Sequence, residues 1–184
     1  MKALCLVAHP DDCVIFALSY IHNHADHDWT IGYLTYTEQD PRGKELADFW
    51  RKRGINCVFM GFEDHWHDNE QQRFTCWSAL DAETACAQLA ANYDLILTHD
   101  KQGDYGHIHH RLVYRAVDNH PRVVTFAPPG QGTVTYTVPP DTYSIDELPL
   151  HGEIVRGFHP ITHQNDYKEP NEINGSRLFI FGCE

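Results

Sequence analysis

The sequence predicts a Rossmann-like α/β fold of three layers, in which a mostly parallel sheet lies between helices. Two patterns support this prediction. Short apolar segments alternate four times with segments of helical periodicity, which is typical of parallel strands joined by right-handed crossover helices. The first apolar segment, Lys2 to Ala8, is almost continuous, as expected for a strand that is buried on both of its faces.

The predicted elements follow one another closely along the chain. Pro10 suits the first turn of a helix that continues to about Asn23, because proline is favoured at that position. Gly54 is expected to end the second helix, since glycine is favoured just beyond a helix C-terminus. The predicted strands are 2–8, 29–37, 56–62, 94–99 and 122–127, and the predicted helices are 14–23, 43–54, 78–93 and 107–119.

We expect one domain over residues 1–184, because a chain of 184 residues can bury a single sizeable core. Its Rossmann-like core would cover about 1–127, and 128–184 would form a variable C-terminal part. This part begins with the Pro- and Gly-rich "APPGQG", followed by "TVTYTV". The pattern predicts a hairpin or an added strand here rather than another crossover.

Charge and cysteine content narrow the classes of function. The net charge is −12, and the longest basic run is the short Arg51 to Gly54 at a predicted helix end, which argues against binding of nucleic acid. The six cysteines form no C-x-x-C pair and are expected to be reduced core residues. The apolar start of the chain is too short for a secretion signal or a membrane span, so we expect a cytoplasmic protein.

Two pairs of polar residues are expected at one edge of the sheet. His9 and Asp12 lie three apart where the first strand turns into a helix, and His107 and His110 lie three apart at a later helix start. Ligands of such sheets bind at the carboxyl ends of the strands. Two imidazoles and one carboxylate, with a position left for water, form the ligand set of a catalytic zinc. Asp11 would then be available as a base that does not bind the metal.

Each of these patterns also has a simpler explanation. Aspartates at a helix N-terminus often cap the helix and complement its dipole. The histidines 107, 109 and 110 could similarly belong to a solvated helix start. The other histidine clusters, His22 to Asp28 and Glu63 to Asp68, are expected to be polar loop surface rather than a second metal site.

The motifs "AHPDD", ending at Asp12, and "GDYGHIHHR", ending at Arg111, resemble those of the LmbE/PIG-L family of metal-dependent N-acetylglucosamine-type deacetylases. The segment between them is also similar to the family, with an Arg and a Glu three apart and a Gly-x-x-Asp end at Asp64. The resemblance covers about Lys2 to Val117, and Thr162 to Gln164 is faintly similar to the family's C-terminal part.

The resemblance implies a zinc-dependent hydrolase that removes an acetyl group from an N-acetylated amino sugar or its conjugate. Zinc, or Fe²⁺ or another divalent metal in its place, would be bound by His9, Asp12 and His110. Asp11 would be the general base. The partner would be a small N-acetylated sugar or glycoconjugate, and a homo-oligomer is possible.

The resemblance also implies roles for side chains around the metal. His107 would stabilise the oxyanion or protonate the leaving amine, and Tyr105 would help to hold the carbonyl group. Arg42 and Asp64 would line the sugar subsite.

The chain departs from the family pattern at two positions beside these residues. The family usually has Glu where this chain has Cys13, and Asp where it has His109. These departures concern the tuning of the site, since every matched ligand position keeps its residue type.

Two other classes of function compete with a hydrolase. A two-histidine, one-carboxylate site can also hold the iron of a non-haem Fe(II) oxygenase, although strand and helix alternation does not suggest the all-β barrel expected around that chemistry. A Rossmann-type binding module without catalysis is the other alternative. The first strand-to-helix turn has no G-x-G-x-x-G, and its two aspartates would repel a pyrophosphate.

Overall fold

The computed structural model describes residues 1–68, 73–75, 77–128, 130–139, 142–152 and 164–169. Most of its helices and strands agree with the predicted order. The strands are β1 Lys2–Val7, β2 Asp28–Thr35, β3 Asn56–Phe62, β4 Trp66–Asp68, β5 Arg73–Thr75, β6 Leu95–Thr98, β7 Val123–Ala127, β8 Val134–Thr137 and β9 Gln164–Lys168. The α-helices are α1 Leu18–Asn23, α2 Pro41–Arg51, α3 Ala79–Ala90 and α4 Ile108–Val117, with a π-helical turn at Cys13–Ala17 and a 3₁₀ turn at Ile145–Glu147.

Seven of these strands form one sheet in the order β3-β2-β1-β6-β7-β9-β8. The strands from β3 to β7 pair in parallel, whereas β9 pairs antiparallel with both β7 and β8. The predicted mostly parallel α/β fold is therefore confirmed. The region after Pro128 contributes an added strand and not a hairpin with β7, because β8 pairs with β9.

Strand β1 lies in the middle of the five parallel strands. Its neighbours are β2 on one side and β6 on the other. The crossover from β1 leads to β2, and the chain returns from β3 through α3 to β6, so the strand order reverses at β1. Open α/β sheets bind ligands in the crevice that this reversal opens at the carboxyl ends of the strands.

Helices cover both faces of the sheet. One core contains side chains of α1 and α2, and the other contains side chains of α3 and α4. Successive residues from β1 enter opposite cores, which explains why its sequence is apolar throughout. Ala3, Cys5 and Val7 lie in the first core, and Leu4, Leu6 and Ala8 lie in the second.

The structure differs from the prediction at two places. The helix expected from Val14 begins as the π-helical turn Cys13–Ala17, a geometry that is frequent at functional sites. The segment around His67, expected as a polar loop, contains β4, which pairs antiparallel with β5. A three-residue strand is too short to show alternating polarity, so only its pairing reveals it.

The cysteines that the structure describes agree with a reduced core. Cys5, Cys13 and Cys86 are buried, Cys57 is partly buried, and none of these four thiols is bonded to another. Cys76 and Cys183 lie outside the described residues. Among the described helices, none combines the length and the apolar character needed to cross a bilayer.

Gly43 allows α2 to begin close to the loop that follows β2. A Cβ atom at this position would lie 2.1 Å from the carbonyl oxygen of Thr37, so Gly43→Ala forces the backbone apart. Replacing glycine by alanine inside a helix usually stabilises it by about 1 kcal/mol. We expect the opposite here, a loss of about 1–3 kcal/mol, measured by urea unfolding.

Gly54→Asn is the matched control, since Gly54 has a φ of 74° and no atom within 4 Å of its Cβ position, and asparagine tolerates this conformation. A Gly43→Ala variant as stable as the wild type would show that the contact with Thr37 is unimportant.

Candidate active site

The turn after β1 brings His9 and Asp12 together. The His9 N–H donates to Asp12 Oδ2 over 2.7 Å, and the same oxygen lies 3.1 Å from His9 Nδ1. The carbonyl of Asp11 accepts hydrogen bonds from the N–H groups of Val14 and Ile15. The backbone of the turn thus fixes the direction in which the His9 and Asp12 side chains point.

The loop between β6 and α4 delivers the histidines of the second motif. Gly103 and Gly106 have φ values of 77° and 95°, a region that glycine adopts without strain. His107 is the N-cap of α4, and its Nδ1 accepts the N–H of His109 over 3.2 Å. This places His110 in the first turn of α4, where it is fully buried.

The side chains from the two motifs converge on one point. His9 Nδ1 lies 3.1 Å from Asp12 Oδ2, His110 Nε2 lies 3.2 Å from His9 Nδ1, and His110 Nε2 lies 3.3 Å from Asp12 Oδ2. A tetrahedral zinc with bonds of about 2.0–2.1 Å separates its ligand atoms by roughly 3.3 Å. The nearly equilateral triangle formed by these three atoms therefore fits a tetrahedral metal ion.

Two further groups of ligand-type side chains occur among the described residues. Each has three candidate ligand atoms within 4.8 Å of one another, and the groups are His9, His107 and His109, and His99, Asp104 and His110. The histidines at positions 22, 24 and 27 belong to no such group within the described residues.

The two adjacent aspartates have different electrostatic environments. Burial alone would raise the pKa of Asp12, but its electrostatic interactions and hydrogen bonds with His110 and His9 lower it well below its ordinary value. Burial and the negative charge of Asp12 raise the pKa of Asp11, and Arg42 opposes this shift. Asp12 is thus favoured as a charged ligand, and Asp11 has the greater affinity for a proton.

His107 is held as a neutral hydrogen-bond donor. Burial, followed by the electrostatic effect of His9 and His110 on a second protonated ring, lowers the pKa of His107 to about 3. Because Nδ1 accepts the N–H of His109, the proton of the neutral ring lies on Nε2. The capping interaction of α4 therefore selects the tautomer of His107.

A cavity of about 160 Å³ opens beside the convergence point. Of the eight predicted site residues, only His110, which is fully buried, is absent from its lining. Tyr105 is 58% exposed at the mouth of the cavity. The lining residues are His9, Asp11, Asp12, Ile15, Phe16, Arg42, Asp64, Tyr105 and His107.

Arg42 and Asp64 are joined through Tyr36. The Nη1–H of Arg42 donates to the Tyr36 hydroxyl over 2.8 Å, and that hydroxyl donates to Asp64 Oδ2 over 3.0 Å. The other oxygen of Asp64 lies 3.2 Å from His9 Nε2. Burial would raise the pKa of Asp64, but its contacts with His9 lower it to about 2.

Sequence reasoning missed His151, which holds Arg42 from behind. His151 is fully buried, accepts the Arg42 Nε–H over 3.0 Å and donates through Nδ1 to Glu45. Arg42 Nη2 in turn lies 3.5 Å from Asp11 Oδ2. The sequence gives no signal for His151, because it lies 106 residues from Glu45.

His109 lies inside the protein and not at a solvated helix start. It is fully buried, its Nδ1 lies 3.2 Å from His9 Nε2, and it stacks on Trp77 with ring centroids 5.1 Å apart. The side chain at position 109, where this chain departs from the family pattern, therefore contacts His9, one of the converging histidines.

Comparison with known proteins gives a family match. A family model described as GlcNAc-PI de-N-acetylase (PIG-L) matches residues 4–120, more than half of the chain. No curated protein sequence matches the chain.

Solved structures share the fold at low sequence identity. The chain is similar to GalB, the 4-carboxy-2-hydroxymuconate hydratase from Pseudomonas putida, with 13% identity, a TM-score of 0.68 and coverage of 97% of this chain and 100% of that one. It is similar to a zinc-inhibited form of teicoplanin deacetylase, with 11% identity, a TM-score of 0.55 and coverage of 94% and 100%. N,N'-diacetylchitobiose deacetylase from Pyrococcus horikoshii has 17% identity and a TM-score of 0.54, with coverage of 85% and 69%.

We expect His110→Ala to weaken zinc binding by more than the roughly 10- to 100-fold that losing an outer contact costs, because it removes one corner of the triangle. Zinc affinity is measured by competition with a chromophoric chelator. His120→Ala is the control, since His120 follows α4 and hydrogen-bonds to the Tyr93 carbonyl away from the cavity. Full zinc occupancy of His110→Ala under competition would exclude His110 as a ligand.

Proposed function

The chain belongs to the PIG-L family, and on that basis we propose that it is a zinc-dependent hydrolase that removes an acetyl group from an N-acetylated amino sugar or its conjugate. One observation carries this proposal. Two imidazole nitrogens and one carboxylate oxygen form a triangle with sides of 3.1–3.3 Å, and a second carboxylate, Asp11, lines the adjoining cavity.

We propose His9, Asp12 and His110 as the metal ligands. When bound there, zinc would polarise an amide carbonyl and lower the pKa of its water to about 7. A zinc-inhibited form is known for one deacetylase of similar fold, so Fe²⁺ and other divalent ions belong in the same tests.

Asp11 is proposed to accept the proton of the attacking water. Its carboxylate lines the cavity and is not part of the triangle, so it can act as a base without leaving a metal. Burial and Asp12 raise its pKa, which increases its proton affinity, while Arg42 at 3.5 Å keeps the carboxylate oriented. The same proton can then pass to the leaving nitrogen.

His107 and Tyr105 are proposed to act on the carbonyl group of the substrate. The neutral His107 presents an Nε2–H, because its Nδ1 caps α4, and this donor can stabilise the developing oxyanion. Since the pKa of His107 is lowered, stabilisation of the oxyanion is favoured over its acting as an imidazolium acid. Tyr105 lines the same cavity and would donate its hydroxyl to the carbonyl oxygen.

Arg42 and Asp64 are proposed to contact the sugar. They line the cavity together, and Tyr36 links them. Fixed donors and acceptors of this kind suit the hydroxyl groups of a small glycoconjugate. A cytoplasmic location and a possible homo-oligomer remain predictions.

Two measurements separate this proposal from its rivals. An Fe(II) oxygenase would consume oxygen, and a binding module would bind nucleotide without any effect of a chelator. The family membership favours hydrolysis over both rivals, and the parallel α/β sheet is not the all-β barrel expected around the oxygenase chemistry.

We expect the metal-loaded protein to release acetate from at least one member of a panel of N-acetylated sugars and glycoconjugates. Acetate release is assayed with zinc and with Fe²⁺, and chelator-treated protein is the control. Because a hydratase has a similar fold, the panel includes an enol-type unsaturated carboxylate. Addition of water to that compound without acetate release from any sugar would contradict the proposal.

Substitution of each aspartate should distinguish the proposed base, Asp11, from the proposed ligand, Asp12. Asp11→Asn is expected to retain zinc but lose about 10²- to 10⁴-fold in rate, the usual contribution of a general base. Asp12→Asn is expected to lose zinc as well, because Asp12 provides a corner of the triangle. Each variant serves as the control for the other in zinc-competition and deacetylation assays, and the reverse pattern would show that the roles are exchanged.

A further inference from the structure

We propose that Asp104 is a positioning residue that fixes His110 as a metal ligand and that His99 fixes Asp104. This inference rests on the proposed metal site and adds two residues to it. Neither residue lines the cavity beside the triangle, so both act through His110 and not on the substrate.

A single carboxylate oxygen joins the two histidines. Asp104 Oδ2 lies 2.7 Å from His110 Nδ1 and 2.5 Å from His99 Nδ1. The two histidine side chains are fully buried, and the Asp104 side chain is 8% exposed. The imidazole rings stack with centroids 3.7 Å apart, so the oxygen is shared by two parallel rings.

The hydrogen bonds determine where each ring carries its proton. A carboxylate only accepts, so both Nδ1 atoms must donate to Asp104 Oδ2. The Nε2 of His110 is then unprotonated, and it lies 3.2 Å from His9 Nδ1 and 3.3 Å from Asp12 Oδ2. Asp104 therefore selects the tautomer in which His110 can bind a metal.

His99 connects this arrangement to the sheet. Its Nε2 accepts the backbone N–H of Ala8 over 3.0 Å, which is the proton pattern expected if its Nδ1–H donates to Asp104. Ala8 follows β1 and precedes His9. The position of His110 is thus tied to the backbone that carries His9.

The backbone conformation of Asp104 indicates that its side chain is specifically required at this position. Its φ is 59°, a left-handed conformation that is unfavourable for residues other than glycine, although Asp and Asn adopt it more readily than most. Glycine would fit here without strain, as it does at Gly103 and Gly106. The carboxylate contacts offset the strain that the side chain introduces.

The other histidine of the triangle has a comparable partner. His9 directs Nδ1 toward Asp12, and its Nε2 lies 3.2 Å from Asp64 Oδ1. Metal-binding histidines generally donate their second ring N–H to a carboxylate or carbonyl group, and loss of that partner costs about 10- to 100-fold in metal affinity. His110 and Asp104 fit the same arrangement.

The test compares zinc affinity in Asp104→Asn and Asp104→Gly with the wild type by chelator competition. In Asp104→Asn the amide oxygen that takes the place of Oδ2 carries no charge and accepts both imidazole N–H groups more weakly, and in Asp104→Gly this acceptor is lost. We expect zinc dissociation constants to rise by about 10- to 100-fold in both variants. Thermal unfolding with excess chelator shows whether each variant is folded at the assay temperature, and the isosteric Asp104→Asn maintains the test if Asp104→Gly fails to fold.

Asp100→Asn is the matched control. Asp100 lies in the same loop, is buried, and accepts the Asp104 N–H through Oδ1 over 2.9 Å. Its substitution removes one negative charge but retains that acceptor, so we expect a change in zinc affinity of less than about 3-fold, well below the effect of losing an outer-sphere partner.

The outcomes distinguish this inference from the proposed function. A folded Asp104→Asn that binds zinc as tightly as the wild type overturns the role of Asp104 and leaves the metal site intact. Equal weakening in Asp100→Asn also overturns it, because loop charge would then explain the effect. A wild-type protein that binds no zinc overturns the metal site together with this inference.

Discussion

The candidate site depends on the parallel pairing of β1 with β6. These strands are neighbours in register from Ala3 opposite Leu95 to Leu6 opposite Thr98. Because parallel strands end at the same edge, the turn after β1 and the loop after β6 must meet there. His99, the residue after β6, accepts a hydrogen bond from Ala8, the residue after β1. The sheet thereby sets the distance between the two motifs before any metal is bound.

The adjacency of Asp11 and Asp12 becomes understandable in this geometry. The side chains diverge, Asp12 toward His9 and His110 and Asp11 toward Arg42. Their pKa values shift in opposite directions as a result. Pairs of titratable groups whose environments separate their pKa values commonly divide ligand and base roles. The two adjacent carboxylates thus contact different side chains, although they are neighbours in the sequence.

Hydrogen bonds from distant parts of the chain support the site from two sides. On one side, Glu45, His151, Arg42, Tyr36 and Asp64 form a continuous series of hydrogen bonds that ends against His9. On the other side, His99 and Asp104 hold His110. Such supporting contacts restrict the side chains that face the cavity and lower the cost of ordering them around a ligand.

Sequence patterns alone identify the fold class and the edge of the sheet where the site lies. The alternation of apolar strands with helices required a parallel sheet, and the positions of "AHPDD" and "GDYGHIHHR" relative to β1 and β6 required both motifs at its carboxyl edge. The groups that support these motifs from behind follow only from how distant parts of the chain pack together. His151 is brought to Arg42 by the packing of a remote loop, and Asp104 reaches His110 because its backbone takes a φ of 59°. Neither contact leaves a periodic signal, since sequence patterns record which faces are buried and not which buried polar atoms meet across the fold.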